Sequence, residues 1–182
     1  MKIAVLFPGI GYTCDRSLLY YTGKLAASLG YEVVRVPYGG FPDGVKGNAE
    51  KIHQAYLLAL EQAEYILSSI DWSAYDDIVF IGKSVGTVVA GAYAEKYQVP
   101  ARLVLLTPIM DTFDFIRRPV IAFHGTADPW ARTEDVIRKC EGKNPLYLTE
   151  GANHSLETGN VEKDIGTLLE TMRTIKDFIT AR

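Results

Sequence analysis

The stretch that decides the fold is DIVFIGKSVGTVVAGAYAEKY, residues 77–97. Its first part, Asp77 to Ile81, is a short apolar run that predicts a buried strand, and its last part, Val85 to Tyr97, predicts a helix. Between them, Gly82 to Gly86 forms a GxSxG pattern on a tight strand-to-helix turn. The two glycines let the strand and the helix approach closely, and the turn exposes the hydroxyl of Ser84 above the edge of the sheet. The pattern therefore predicts Ser84 as a nucleophile.

Apolar runs of the same kind recur along the chain and alternate with segments of helical spacing. Further strands are expected at Lys2–Phe7, Tyr31–Val36, Arg102–Thr107, Pro119–Phe123 and Pro145–Leu148, each buried on both faces. Further helices are expected at Ser17–Leu29, closed by Gly30, and at Asn48–Ile70, Arg132–Cys140 and Val161–Ile179. This alternation predicts an α/β fold, a doubly wound and mostly parallel six-stranded sheet with helices on both faces, as one domain over residues 1–182.

Composition and charge exclude several classes of protein. The chain has 182 residues, of which 48% are hydrophobic, and a formal net charge of -3 with its basic residues scattered. This gives no support to a nucleic-acid or membrane partner. Cys14 and Cys140 form no CxxC or Cys/His cluster, so we expect no metal site and no disulfide framework. The opening apolar run breaks at Pro8, too early for a signal sequence, which favours a cytoplasmic protein.

A serine nucleophile needs a base, and the base needs a group that orients it. Asp128 follows one predicted strand and His154 follows the next, so Ser84, Asp128 and His154 stand in that order along the chain, each just past a strand. The carboxyl ends of parallel strands share one edge of the sheet, which places the three side chains together. Asp111 is the competing candidate for the acid. His124 lies at a strand end, where we expect a buried structural hydrogen bonder.

With these motifs the chain resembles the α/β-hydrolase family, in particular its small lidless members related to dienelactone hydrolase and to the catalytic domains of prolyl oligopeptidase-type enzymes. The resemblance rests on GKSVG at 82–86, HGTADP at 124–129 and GANH at 151–154. It implies that His154 is the general base, that Asp128 orients it, and that the backbone N–H groups of Ile10 and Val85 form an oxyanion hole.

The same resemblance implies a serine hydrolase of the carboxylesterase class. Such an enzyme cleaves a small carboxylic ester, thioester or related acyl bond through an acyl-enzyme, without metal or cofactor. The short segment Pro108 to Arg118 leaves no room for a cap domain, so the site is expected to be open. Tyr12, Phe113 and Trp130 lie in loops at the expected mouth and are candidates for substrate binding.

Two other functions stay open on the sequence. One is a non-catalytic α/β-hydrolase-like binding or scaffold protein, and the other is a peptidase or amidase of the oligopeptidase type. The sequence also leaves open the role of Lys83 beside the nucleophile and the oligomeric state. The segment Pro37 to Gly47 is rich in glycine and proline and predicts a loop without regular structure.

Overall fold

The structure is a computed structural model that describes residues 1–45 and 47–181. Its strands are β1 (Lys2–Phe7), β2 (Glu32–Arg35), β3 (Asp77–Lys83), β4 (Arg102–Leu106), β5 (Val120–Gly125) and β6 (Leu146–Thr149). Its α-helices are α1 (Ser17–Ser28), α2 (Ala49–Leu67), α3 (Val85–Lys96), α4 (Thr133–Cys140) and α5 (Val161–Thr180). Two 3₁₀ turns lie at Trp72–Ala74 and Met110–Asp114. All six predicted strands and all five predicted helices are confirmed, with ends that shift by at most three residues.

The six strands form one sheet in the order β2-β1-β3-β4-β5-β6, and every pairing is parallel. The chain leaves β1 toward β2 on one side and continues from β3 on the other. The strand order therefore reverses between β1 and β3, which is where an open parallel sheet forms a crevice at its carboxyl edge. Between β4 and β5 the described chain holds only the 3₁₀ turn Met110–Asp114, so the prediction of a fold without a cap domain is confirmed.

Alternate residues of the strands pack into two apolar cores, one on each face of the sheet. On one face Phe80 of β3 packs with side chains of α2, α3 and α4. On the other face its neighbour Ile81 packs with side chains of α1 and α5. The expectation that all strands are buried on both faces is wrong for the two outer strands, β2 and β6, because the helices cover their faces less completely than those of the central strands.

The ends of three helices are fixed by residues that the sequence places there. Gly30 follows α1 with φ +83°, the left-handed conformation that closes a helix. The amide N–H groups of Lys51 and Lys163 donate to the side chains of Asn48 and Asn160, which begin α2 and α5.

The described part of the 37–47 loop has no helix or strand, and position 46 lies outside the described residues. None of the helices in the described ranges is long and apolar enough to cross a membrane.

Candidate active site

Ser84 lies on a strained turn between β3 and α3. Its backbone has φ 56° and ψ -122°, a conformation that costs a non-glycine residue free energy. A Cβ on Gly86 would lie 2.0 Å from the carbonyl oxygen of Phe7, and a Cβ on Gly82 would lie 2.5 Å from that of Gly86. Both positions therefore require glycine for β1, β3 and α3 to meet. The Ser84 amide donates to the carbonyl of Leu106, which fixes the turn to β4.

The loops after β5 and β6 are bonded to each other through their backbones. The amide of Thr126 donates to the carbonyl of Thr149, and the amide of Ala127 donates to the carbonyl of Ala152. These bonds tie the loop that carries Asp128 to the loop that carries His154. The separation of the two side chains is thus set by main-chain hydrogen bonds.

The structure brings Ser84, His154 and Asp128 into one hydrogen-bonded chain. His154 Nε2 lies 2.7 Å from Ser84 Oγ, and His154 Nδ1 lies 2.7 Å from Asp128 Oδ2. The other carboxylate oxygen, Oδ1, accepts the backbone N–H of Trp130 at 2.8 Å. An ionised carboxylate only accepts, so Nδ1 carries the proton and Nε2 is left to accept from the serine hydroxyl. This is the proton arrangement that a general base needs.

Burial lowers the pKa of His154 from its ordinary value of 6.5. Burial is the largest effect on this pKa. The hydrogen bond to Asp128 raises the pKa, and the nearby Lys83 lowers it further. The imidazole is therefore neutral at pH 7 and able to take a proton from Ser84.

Lys83 ends β3 directly before the candidate nucleophile, and its side chain is almost fully buried, with 1% of the residue exposed. Its Nζ lies 4.8 Å from the centre of the Tyr12 ring. Within the described ranges it makes no hydrogen bond or ion pair with a carboxylate. Burial lowers the pKa of Lys83 from 10.5 to about 7, against smaller opposing effects of Asp128 and Glu157. The site therefore holds a buried amine whose charge changes near neutral pH.

The two backbone amides expected to form an oxyanion hole lie in turns beside Ser84. Val85 is the first residue of α3, and Ile10 lies in the turn that Gly9 and Tyr12 close with two backbone hydrogen bonds. Neither amide has a protein acceptor among the described residues. A Cβ on Gly9 would lie 3.0 Å from the Cβ of Ser84, so this turn packs directly against the serine.

The other residues singled out in the sequence lie at different distances from this centre. Trp130 stacks on the ring of His154, with ring centroids 5.2 Å apart and an angle of 19°. Tyr12 covers Lys83, and its hydroxyl accepts the backbone N–H of Leu18. Phe113 packs against the core on the α3 face instead. Asp111 shares the 3₁₀ turn with Phe113 and has no hydrogen bond to His154, so the structure pairs His154 with Asp128 rather than with Asp111.

Two residues that the sequence did not assign to the site also lie in it. The hydroxyl of Thr107 donates to the carbonyl oxygen of His154 at 3.0 Å, which fixes the backbone of the candidate base. His124 is fully buried and its Nδ1 lies 3.7 Å from Asp128 Oδ2. The sequence signal for Thr107 is its place at the end of a strand next to the crevice, whereas His124 is also the first residue of the HGTADP segment.

A cleft of about 540 Å³ opens between the ends of β1 and β2, on the far side of the turn that contains Ile10. Its lining is mostly apolar and includes Pro8, Gly9, Tyr38 and Phe41. The lining includes Gly9, which packs near Ser84, but none of Ser84, Asp128 and His154.

The overall architecture is that of an α/β hydrolase. A protein assigned to the α/β hydrolase superfamily from Xanthomonas campestris pv. campestris superposes with a TM-score of 0.70 at 17% identity, covering 98% of both chains. Est1E from Butyrivibrio proteoclasticus, solved with bound ferulic acid, gives 0.71 at 15% identity, covering 98% of this chain and 88% of its own. The Pyrococcus furiosus esterase Pf2001 gives 0.69 at 16% identity, with coverage of 97% and 81%.

These similarities confirm the fold that the sequence motifs implied. The sequence matches no protein-family model, and no curated protein is significantly similar to it. The chain has the α/β-hydrolase fold, and its reaction has to be argued from the site itself.

Proposed function

We propose that this protein is a serine hydrolase that cleaves a small carboxylic ester, thioester or related acyl bond. The observation that carries the proposal is the chain of two 2.7 Å contacts from Ser84 through His154 to Asp128. Ser84, the proposed nucleophile, lies on a strained turn that requires glycine at positions 82 and 86. Ser84 would be the nucleophile, His154 the general base and then acid, and Asp128 the group that orients the imidazole.

In the first half of the reaction, Ser84 Oγ attacks the carbonyl carbon while its proton moves to His154 Nε2. The carbonyl oxygen becomes an oxyanion, which the N–H groups of Val85 and Ile10 would stabilise. The bond to the leaving group then breaks, and the proton on Nε2 passes to that group. Asp128 stabilises the imidazolium that exists between these two proton transfers.

In the second half, a water molecule replaces the leaving group. His154 Nε2 takes one proton from the water as its oxygen attacks the acyl carbon, and it then returns that proton to Ser84 Oγ. The products are a carboxylic acid and the free serine. The proposed cycle uses side chains, backbone amides and water.

The surroundings of the site support a small substrate. Only the 3₁₀ turn Met110–Asp114 lies where larger relatives of the fold would hold a cap, so no enclosed tunnel for a long acyl chain is formed by the described residues. One similar structure is named an esterase, which agrees with this substrate class.

The test is covalent labelling with a fluorophosphonate, measured by intact mass. We expect one adduct on the native chain and none on Ser84→Ala or His154→Ala. Ser69→Ala removes an exposed serine just after α2, outside the candidate site, and is the matched control, which should label like the native chain. Hydrolysis of a panel of short acyl esters then defines the substrate. A folded native chain that takes no adduct would refute the proposal and favour a non-catalytic binding protein.

A further inference from the structure

His124 is a buried histidine, and only one of its two ring nitrogens has a hydrogen-bond partner among the described residues. It lies near the end of β5, and its residue exposure is 0%. Nε2 lies 3.1 Å from the hydroxyl of Thr133, at the start of α4. Nδ1 is buried, and no described residue forms a hydrogen bond with it. A buried polar atom without a partner costs free energy, so its surroundings need an explanation.

A carboxylate oxygen lies close to Nδ1. Asp128 Oδ2 lies 3.7 Å away, beyond hydrogen-bond distance, and the side chains of both residues are fully buried. The same oxygen accepts from His154 Nδ1 at 2.7 Å. Asp128 is thus flanked by two imidazoles, one in contact with Ser84 and one behind it.

The contacts of both ring nitrogens bear on which one of them carries the hydrogen in neutral His124. The Thr133 hydroxyl lies 3.1 Å from His124 Nε2 and 3.4 Å from the carbonyl oxygen of Thr126. It can accept from Nε2 while donating to Thr126, or donate to Nε2 instead, so the surroundings of Nδ1 decide the tautomer. If Nε2 accepts, Nδ1 must carry the hydrogen. The N–H dipole then points at the Asp128 carboxylate, whereas the other tautomer would place a lone pair against a negative charge in a buried site.

We propose that His124 is a positioning residue that presents its Nδ1–H to Asp128 and so holds the carboxylate against His154. This inference rests on the proposed function of Ser84, His154 and Asp128. Oδ1 accepts from the Trp130 amide and Oδ2 from His154 Nδ1, and the Nδ1–H of His124 would add a second donor facing Oδ2. Rotation of the carboxylate away from His154 is thereby opposed from two sides.

The charged groups around this cluster fix the expected effect on pH dependence. Asp128 is the charged group that acts on His124, and α4 presents the uncharged Thr133 to it. Lys83 and His154 face the same carboxylate from β3 and from the loop after β6. An N–H behind Asp128 draws part of its negative charge away from His154. Loss of that donor should therefore let His154 keep its proton to a higher pH.

Two substitutions separate the two contacts of His124. The amide nitrogen of an asparagine occupies the place of Nδ1, so His124→Asn keeps a donor toward Asp128 and loses the contact with Thr133. His124→Gln does the reverse, because its amide reaches the place of Nε2. We expect His124→Gln to lower the second-order rate constant of fluorophosphonate labelling about tenfold, the size of one charge-assisted contact. The midpoint of the pH profile should move upward, and His124→Asn should stay near the native values.

Nuclear magnetic resonance of the native chain tests the tautomer without any substitution. With three histidines in the sequence, the ring nitrogens can be assigned from ¹⁵N–¹H correlations. We expect a hydrogen on His124 Nδ1 at pH 7, and a hydrogen on Nε2 instead would overturn the inference. So would equal labelling rates and pH midpoints for native chain and His124→Gln. A native chain that does not label at all, with Nδ1 protonated, would refute the proposed function and leave the geometry of His124 in place.

Discussion

Lys83→Met should make the protein more stable, although it removes a residue from the centre of the candidate site. The native lysine places a positive charge in a buried position, and no carboxylate of the described residues is bonded to it. A fall in pKa from 10.5 to about 7 means that the charged form is less favourable in the folded chain. At about 1.4 kcal/mol per pH unit, the cost is roughly 4 to 5 kcal/mol at pH 7 and below.

Methionine is close in length to lysine and carries no charge, so it should fill the same space without this cost. The variant loses the contact of the ammonium with the Tyr12 ring, which contributes up to about 2 kcal/mol. We therefore expect the free energy of unfolding at pH 7 to rise by roughly 2 to 4 kcal/mol in urea denaturation. Lys139→Met, which removes an exposed lysine on α4, is the matched control and should change stability little.

The pH dependence tests the cause. Below pH 7 Lys83 is charged in both the folded and the unfolded chain. Between about pH 7 and 10.5 it is protonated only in the unfolded chain, so the free energy of unfolding rises with pH in this range. Between pH 7 and pH 8.5 the free energy of unfolding of the native chain should rise by roughly 1.5 kcal/mol from this group. Burial lowers the pKa of His154 and His124 and raises that of Cys14 and Cys140 to about 11, so these groups contribute mainly outside this window. If the free energy of unfolding of Lys83→Met rose with pH as steeply as that of the native chain, the reasoning would be refuted.

The other predictions concern the proton transfer, the turn and the choice of acid. Because the pKa of His154 is lowered, the labelling rate should stay constant near pH 7 and fall only below the ordinary histidine value of 6.5; a midpoint above 6.5 would contradict this. Gly86→Ala should destabilise by about 3 kcal/mol or more in thermal melts, whereas Gly166→Ala, which meets open space in α5, should not. Asp128→Asn should slow labelling by roughly 10³- to 10⁴-fold and Asp111→Asn should leave it unchanged.

The sequence was sufficient for the order of elements and for the residues that meet at the edge of the sheet. Short apolar runs that end in glycine or aspartate are local signals, and parallel strands bring the loops at their carboxyl ends to one edge. This is why Ser84, Asp128 and His154, which are far apart in the chain, could be placed together from spacing alone. The left-handed backbone of Ser84 likewise agrees with the glycines two residues on either side.

The electrostatics of the site could not be predicted in this way. Lys83 has the same neighbours in sequence whether its amine points to solvent or under Tyr12, and only the packing of the 9–12 turn decides between these. The side chain of His124 was expected to be a buried hydrogen bonder, and its contact with Thr133 fits that. Its approach to Asp128 depends on how β5 and the following loop curve, which no short motif encodes.

The Asp128 carboxylate explains why these basic side chains occupy one small region of the protein. Lys83 ends β3, His124 lies near the end of β5, and His154 follows β6, so the parallel sheet delivers all three to its carboxyl edge. A buried carboxylate needs partners for its charge, whereas a buried ammonium without a bonded carboxylate is itself a cost. Substitution of Lys83 by an apolar residue relieves an uncompensated charge, but the same change at His124 takes a partner away from the charge of Asp128. The two positions should therefore shift stability in opposite directions, although both lose a basic group from the same cluster.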